Sequence, residues 1–134
     1  SAAIAGSKTT TGAGVTNDTS NIAAAYDLGV AKLMAQSNTT KITGAKDIKG
    51  SVIGAHVPMA GGTFRIASSQ TDQAGKKSSL MAVGFVQPMS KRTDLYATYG
   101  RVSNSGGANA ALNGAVTAAN ASSTGYEFGV KHAF

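Results

Sequence analysis

The chain has 134 residues, a formal charge of +6 at pH 7, and neither cysteine nor tryptophan. The lack of cysteine excludes a disulfide framework and a thiolate metal site. Charged residues make up only 13% of the chain, against about 25% in typical soluble domains, which does not fit an ordinary cytosolic protein. The twelve basic residues are scattered, with Lys76-Lys77 and Lys91-Arg92 the only close groups. They lack the interleaved aromatics that bind single-stranded nucleic acid, so no nucleic-acid partner is expected. No stretch approaches the ~18 apolar residues of a transmembrane helix.

In chain order, Ser1 to Thr11 begins as a small-residue strand and dissolves into a polar loop through Asp18. Asn21 to Leu28 alternates, with Ile22, Ala24, Tyr26 and Leu28 on one face. A reversal at Gly29 leads into a strand over 30–37 and then a polar loop over 38–46. Asp47 to Val57 is the next strand, the Pro58–Gly62 stretch a turn, and Thr63 to Gln70 a strand. A polar loop is expected at 71–77. Strands follow over 78–87 and 93–102, joined by a turn at 88–92, and a low-complexity Gly/Ala/Asn/Ser loop fills 103–122. The closing strand places Tyr126, Phe128, Val130, His132 and Phe134 on one face, and Gly125, Glu127, Gly129 and Lys131 on the other.

The expectation is therefore an all-β protein of about eight meandering antiparallel strands, most near the ~9–11 residues that cross a bilayer at a tilt. Tight connections at 28–29, 58–62 and 88–92 alternate with longer ones at 9–19, 38–46, 71–77 and 103–122, the asymmetry of an outer-membrane barrel. Tyr26, Phe64 and Phe134 fall beside the tight-turn end, and Tyr99 and Tyr126 nearer the long loops. Two interfacial aromatic girdles have this distribution. Aromatics on one face also mark the core side of a soluble antiparallel sheet, so alternation alone leaves both readings open.

Three segments carry a family resemblance. Ser90-Lys-Arg-Thr-Asp-Leu-Tyr-Ala-Thr-Tyr-Gly-Arg-Val-Ser-Asn104 resembles the penultimate strand of Gram-negative general porins of the β-proteobacterial type. Gly125-Tyr-Glu-Phe-Gly-Val-Lys-His-Ala-Phe134 resembles their terminal strand, and Asn21–Lys32 a hairpin of their later half. The resemblance implies a trimeric, 16-stranded transmembrane β-barrel of the outer membrane. Residues 1–134 would form a single segment, the C-terminal half, and a start at Ser1 in mid-strand agrees with a processed product or fragment. It also implies a passive water-filled channel for small hydrophilic solutes, with membrane lipid as a partner and no cofactor. Phe128, Val130 and Phe134 would belong to a terminal signal read by the assembly machinery. On the registers above, Lys32, Arg65 and Lys131 point into the lumen with Asp27, Asp94 and Glu127, for which mild anion preference is expected.

Enzymatic readings find no support in the residues. His56 and His132 are the only histidines; neither has a second ligand at metal-binding spacing, and the acids are isolated. The glycine pairs 61–62 and 106–107 precede no helix and cradle no phosphate. Two competitors remain: a self-contained eight-stranded outer-membrane barrel with an adhesin or structural role, and a soluble β-rich fibre or secreted binding domain. Eight strands can close only around a filled interior, and the inward Ala, Gly, Ser and Thr are small for that.

Overall fold

A computed structural model describes residues 1–10 and 16–134. Among the described residues there are eight strands and no helix: β1 (Ala2–Thr10), β2 (Thr16–Asp27), β3 (Lys32–Ile42), β4 (Ile48–Met59), β5 (Gly62–Gln73), β6 (Lys76–Ser90), β7 (Thr93–Ser105) and β8 (Ser123–His132). They form one antiparallel meander in sequence order, with β1 and β8 at opposite edges. That order is the cheapest one to reach, because every strand pairs with the segment that follows it.

Strands outrun their apolar residues. The polar stretches expected as loops at 9–19, 38–46 and 71–77 are largely strand. Thr10 pairs with Thr16, Asn17 with Ile42, and Gln73 with Lys76. Residues 11–15, within the expected 9–19 loop, lie outside the described residues. Ladder hydrogen bonds are made by the backbone, so Ser, Thr, Asn and Gln can continue a strand wherever its surroundings are wet. The expected 71–77 loop shrinks to Ala74-Gly75, and the 58–62 turn to Ala60-Gly61. In both turns each residue has positive φ (58° and 87°; 53° and 76°), the geometry of a two-residue type I′ hairpin. Alanine tolerates that region poorly, which is why Ala-Gly is a weak turn signal in a sequence. The asymmetry between the two ends therefore rests on 106–122 and, to a lesser degree, on 43–47.

Both prolines lie inside strands. Pro58 is two residues beyond His56, the last β4 residue with a β3 partner, and Pro88 is two beyond Val86, the last β6 residue with a β5 partner. Each missing N–H therefore falls where one neighbour has already ended, and a register shift follows at Pro88/Ser90. The closing strand stops at His132, short of the expected final residue. Ala133 still donates its N–H to the Arg92 carbonyl at 2.9 Å.

Register fixes which side chains share a face. One row runs Asp27–Lys32–His56–Arg65–Gly84–Thr98–Glu127 across β2 to β8. On the opposite face the corresponding row is Tyr26–Leu33–Ala55–Ile66–Val83–Tyr99–Tyr126. A cavity of about 660 Å³ lies against the first face, lined by Gln36, His56, Arg65, Ala67, Gly84 and Thr98 among others, and one of about 500 Å³ against the second, lined by Tyr26, Leu33, Ile53 and Ile66 among others. The second is convex and uncovered, with Ile4 83%, Tyr126 81% and Phe128 78% exposed. Among the described residues only Val102 and Ala108 are buried apolar side chains. A water-soluble sheet would cover its apolar face with a second layer, and none is present among the described residues.

Candidate functional site

The concave face is the candidate site; its side chains are mostly small, with charges gathered in one row. Moving from the charged row toward the longer loops, the rows run Ala25–Met34–Gly54–Ala67–Ala82–Gly100–Gly125, then Ala23–Gln36–Val52–Ser69–Leu80–Val102–Ser123. Short side chains leave room for water. Lys32, Arg65 and Glu127 occupy the charged row. Asp94 and Lys131 are direct cross-strand partners nearer the tight turns. All five expected lumen residues therefore share the concave face.

Two residues on this face carry more than the sequence conveyed. His56 sits between Lys32 and Arg65 in the charged row. Lys76, placed by its polar surroundings in a loop, is in fact the first residue of β6 and pairs with Gln73 on the concave side. The count then becomes Lys32, Arg65, Lys76 and Lys131 against Asp27, Asp94 and Glu127, four positive and three negative. The six residues first expected to give a net-basic lining balance one another, and Lys76 supplies the excess. Asp27 faces Lys32 and Asp94 faces Lys131 across their ladders, while Tyr96 donates its hydroxyl to Glu127 Oε1 at 2.7 Å. Arg65 faces Gly84 and His56 and has no acid opposite it. It and Lys76, which faces Gln73, are the two cations of this face with no acid opposite them.

The segment 106–122 does not stand away from the sheet. It folds back across the concave side of β7 and β8. A Cβ built on Gly100 would meet Leu112 Cδ2 at 3.5 Å, and one on Gly125 would meet Leu112 Cδ1 at 3.1 Å. Leu112 therefore fills a notch that these two glycines open by having no side chain. Asn104 holds both arms of the loop: its Nδ2 donates to the carbonyls of Ala110 (2.8 Å) and Ala121 (2.7 Å). Its Oδ1 accepts from Ala110 N (3.1 Å) and Ser78 Oγ (2.7 Å). The Leu112 N–H reaches Ser123 Oγ at 3.3 Å, and Asn120 Oδ1 accepts from Gly107 N at 2.7 Å. Composition marks this stretch only as low-complexity. Its ordering comes from Asn104, a strand residue, and that is invisible without the register.

The convex face carries Tyr26, Phe64, Phe85, Tyr99, Tyr126, Phe128 and Val130, as the alternation implies. Phe134 lies past the strand end, fully exposed, its ring edge-on to His132 with centroids 4.9 Å apart. His132 Nδ1 lies 2.9 Å from Thr93 Oγ1. The apolar run shifts from Ile22–Tyr26 on β2 to Tyr126–Val130 on β8. Relative to the register rows this is a drift toward the tight turns, which is how a level lipid belt crosses tilted strands.

A face of small side chains with a charged row, an uncovered apolar face and a meander order together define the wall of a membrane β-barrel. A Gram-negative porin family model matches residues 1–108, and the chain belongs to that family, whose place is the outer membrane. The chain is also similar to the solved anion-selective porin from Comamonas acidovorans, at 30% identity and a TM-score of 0.84, over 99% of this chain and 44% of that one. It thus spans less than half the length of that porin. No curated protein matches it.

Two adjacent residues test which face meets lipid. Ile53 is convex and 62% exposed; Val52 is concave and 42% exposed. Ile53→Lys should destabilise the folded form in lipid by about 2–4 kcal/mol, the cost of a lysine near the bilayer midplane, whereas Val52→Lys should cost little. Urea titration in vesicles measures both, and equal costs would remove the assignment.

Proposed function

We propose that this chain forms part of the wall of a trimeric, water-filled diffusion channel through which small hydrophilic solutes pass passively. The single observation that carries the reading is the opposition of faces: one side of the sheet gathers small side chains and a charged row, and the other is bare and carries the large apolar ones. No chemistry is required of such a wall. Selection follows from lumen width and the charge lining it.

The sheet leaves β1 and β8 as open edges, and open edges in a membrane are costly unless paired. Residues 1–134 are therefore taken as one barrel segment, closed by further strands of a longer protein. This favours the large barrel over a self-contained eight-stranded one. Asp27, Lys32, Arg65, Lys76, Asp94, Glu127 and Lys131 are assigned to the lumen, with Tyr26, Phe64, Tyr99, Tyr126 and Phe134 at the lipid interface. An excess of one positive charge on this wall supports a mild anion preference, in keeping with the anion-selective porin it resembles.

The test is a planar bilayer recording of the full-length protein in a salt gradient. Conductance should rise in groups of three equal steps, with a reversal potential on the anion side that shrinks as ionic strength rises. Absence of conductance would overturn the channel, and a cation-side potential would overturn the selectivity.

A further inference from the structure

We propose that His56 is a proton-controlled selectivity residue of the lumen: by taking up a proton it raises the anion preference of the channel as the pH falls from about 7.5 to about 5. The inference rests on the channel reading above and deepens it. Its first support is position. His56 stands in the charged row with Lys32 opposite it on β3 and Arg65 opposite it on β5. Neighbouring strands are about 4.8 Å apart, so the three side chains start within roughly 10 Å of one another. With a neutral imidazole the row holds two separate cations. With an imidazolium it becomes one unbroken track of three.

The second support is what surrounds the ring. On the concave side His56 has Gly54 and Pro58 beside it along β4, Met34 diagonally across on β3, and Thr63 and Ala67 on β5. None of these is an acid. The acids of the row lie beyond its two cations. Asp27 is opposite Lys32, and Glu127, three strands past Arg65, accepts the Tyr96 hydroxyl at 2.7 Å. A proton taken up by His56 is therefore not cancelled by a carboxylate next to it. The concave count moves from four positive and three negative charges to five and three, and the excess on this wall doubles.

The third support is access. His56 and Arg65 line the same cavity of about 660 Å³, and the small residues beside them leave the imidazole open to it. His132, the chain's other histidine, is on the opposite face, with its Nδ1 2.9 Å from Thr93 Oγ1. His56 is thus the one histidine that this wall presents to the lumen.

The test is the reversal potential of the full-length protein in planar bilayers, in a gradient centred on about 0.1 M salt, at about pH 7.5 and about pH 5. Carboxylates keep their charge over most of that window, whereas a histidine changes its own. The anion-to-cation permeability ratio should rise about twofold on acidification, the effect of one added unit charge near the ion path, and by little in about 1 M salt. His56→Gln should remove the rise, and His132→Gln should keep it. His56→Lys should already show, at the higher pH, the ratio that the native protein reaches at the lower one. A native ratio that does not change with pH, or a rise of equal size in His56→Gln, would overturn the inference. So would a His56→Lys ratio equal to the native one at the higher pH, which keeps the test decisive should His56→Gln not insert. In each of these cases an anion-side potential at the higher pH leaves the channel reading intact. Absence of conductance, or a cation-side potential there, would instead overturn that reading and the inference with it.

Discussion

Replacing Arg65 with Glu should abolish or invert the anion preference proposed for the channel. Arg65 faces Gly84 and His56 with no acid opposite it, and it lies in the charged row, whereas Lys76, the other concave cation without an acid partner, sits at the turn by Gln73. A unit charge about 7 Å from a permeant ion in water is worth about 0.6 kcal/mol, roughly one RT. Reversing the charge counts twice, and screening takes part of that back. The permeability ratio should therefore move toward cations by a factor of about three in 0.1 M salt and by little in 1 M, where the Debye length falls to about 3 Å. The wall then carries three positive and four negative charges in place of the reverse. Lys49→Glu is the control, since it changes net charge equally but on the convex face. Reversal potentials that shift alike in the two variants would show that position on the wall does not matter, and the lumen assignment would fail.

Releasing Asn104 should open the channel. Asn104→Leu keeps the approximate volume but removes the three hydrogen bonds that tie the loop's two arms to β7, and the one from Ser78 on β6 that holds the Asn104 side chain. At about 1 kcal/mol each, the lost anchoring amounts to roughly 2–4 kcal/mol after water replaces part of it. Segment 106–122 should then leave the notch over Gly100 and Gly125 for a large fraction of the time. Single-channel conductance should rise, the current should become noisier, and protease should cut the loop faster while the barrel stays folded. Gly125→Val reaches the same end from the other side, because its Cβ alone would come within 3.1 Å of Leu112. Unchanged conductance and unchanged cleavage in both variants would mean that the loop does not narrow the path.

The two experiments probe features of unequal legibility. Arg65 could be assigned from alternation, since Phe64 and Ile66 beside it oblige it to face the other way. The same logic placed Lys32, Asp94, Glu127 and Lys131 on one face without coordinates. Lys76 was missed because Lys-Lys between polar residues carries no period. Its face became known only once β5 and β6 were seen to run on to an Ala-Gly turn. Asn104 was missed for a deeper reason: its importance lies in partners at positions 78, 110 and 121, which no local pattern links.

By itself the sequence determined the strand count, the meander and the sorting of aromatics from small polar residues, because a period of two is written residue by residue and adjacent strands need only a turn between them. It also carried the resemblance of the last ten residues to a terminal barrel strand. Tertiary structure decided where the strands end, since backbone pairing continues after apolar side chains stop. It decided that the loop 106–122 lies over the concave face, since Asn104 and the two glycines meet it only in space. It also decided how the +6 is divided, with most of it outside the lumen, because a charge acts from the face it occupies and only the paired register assigns that face throughout.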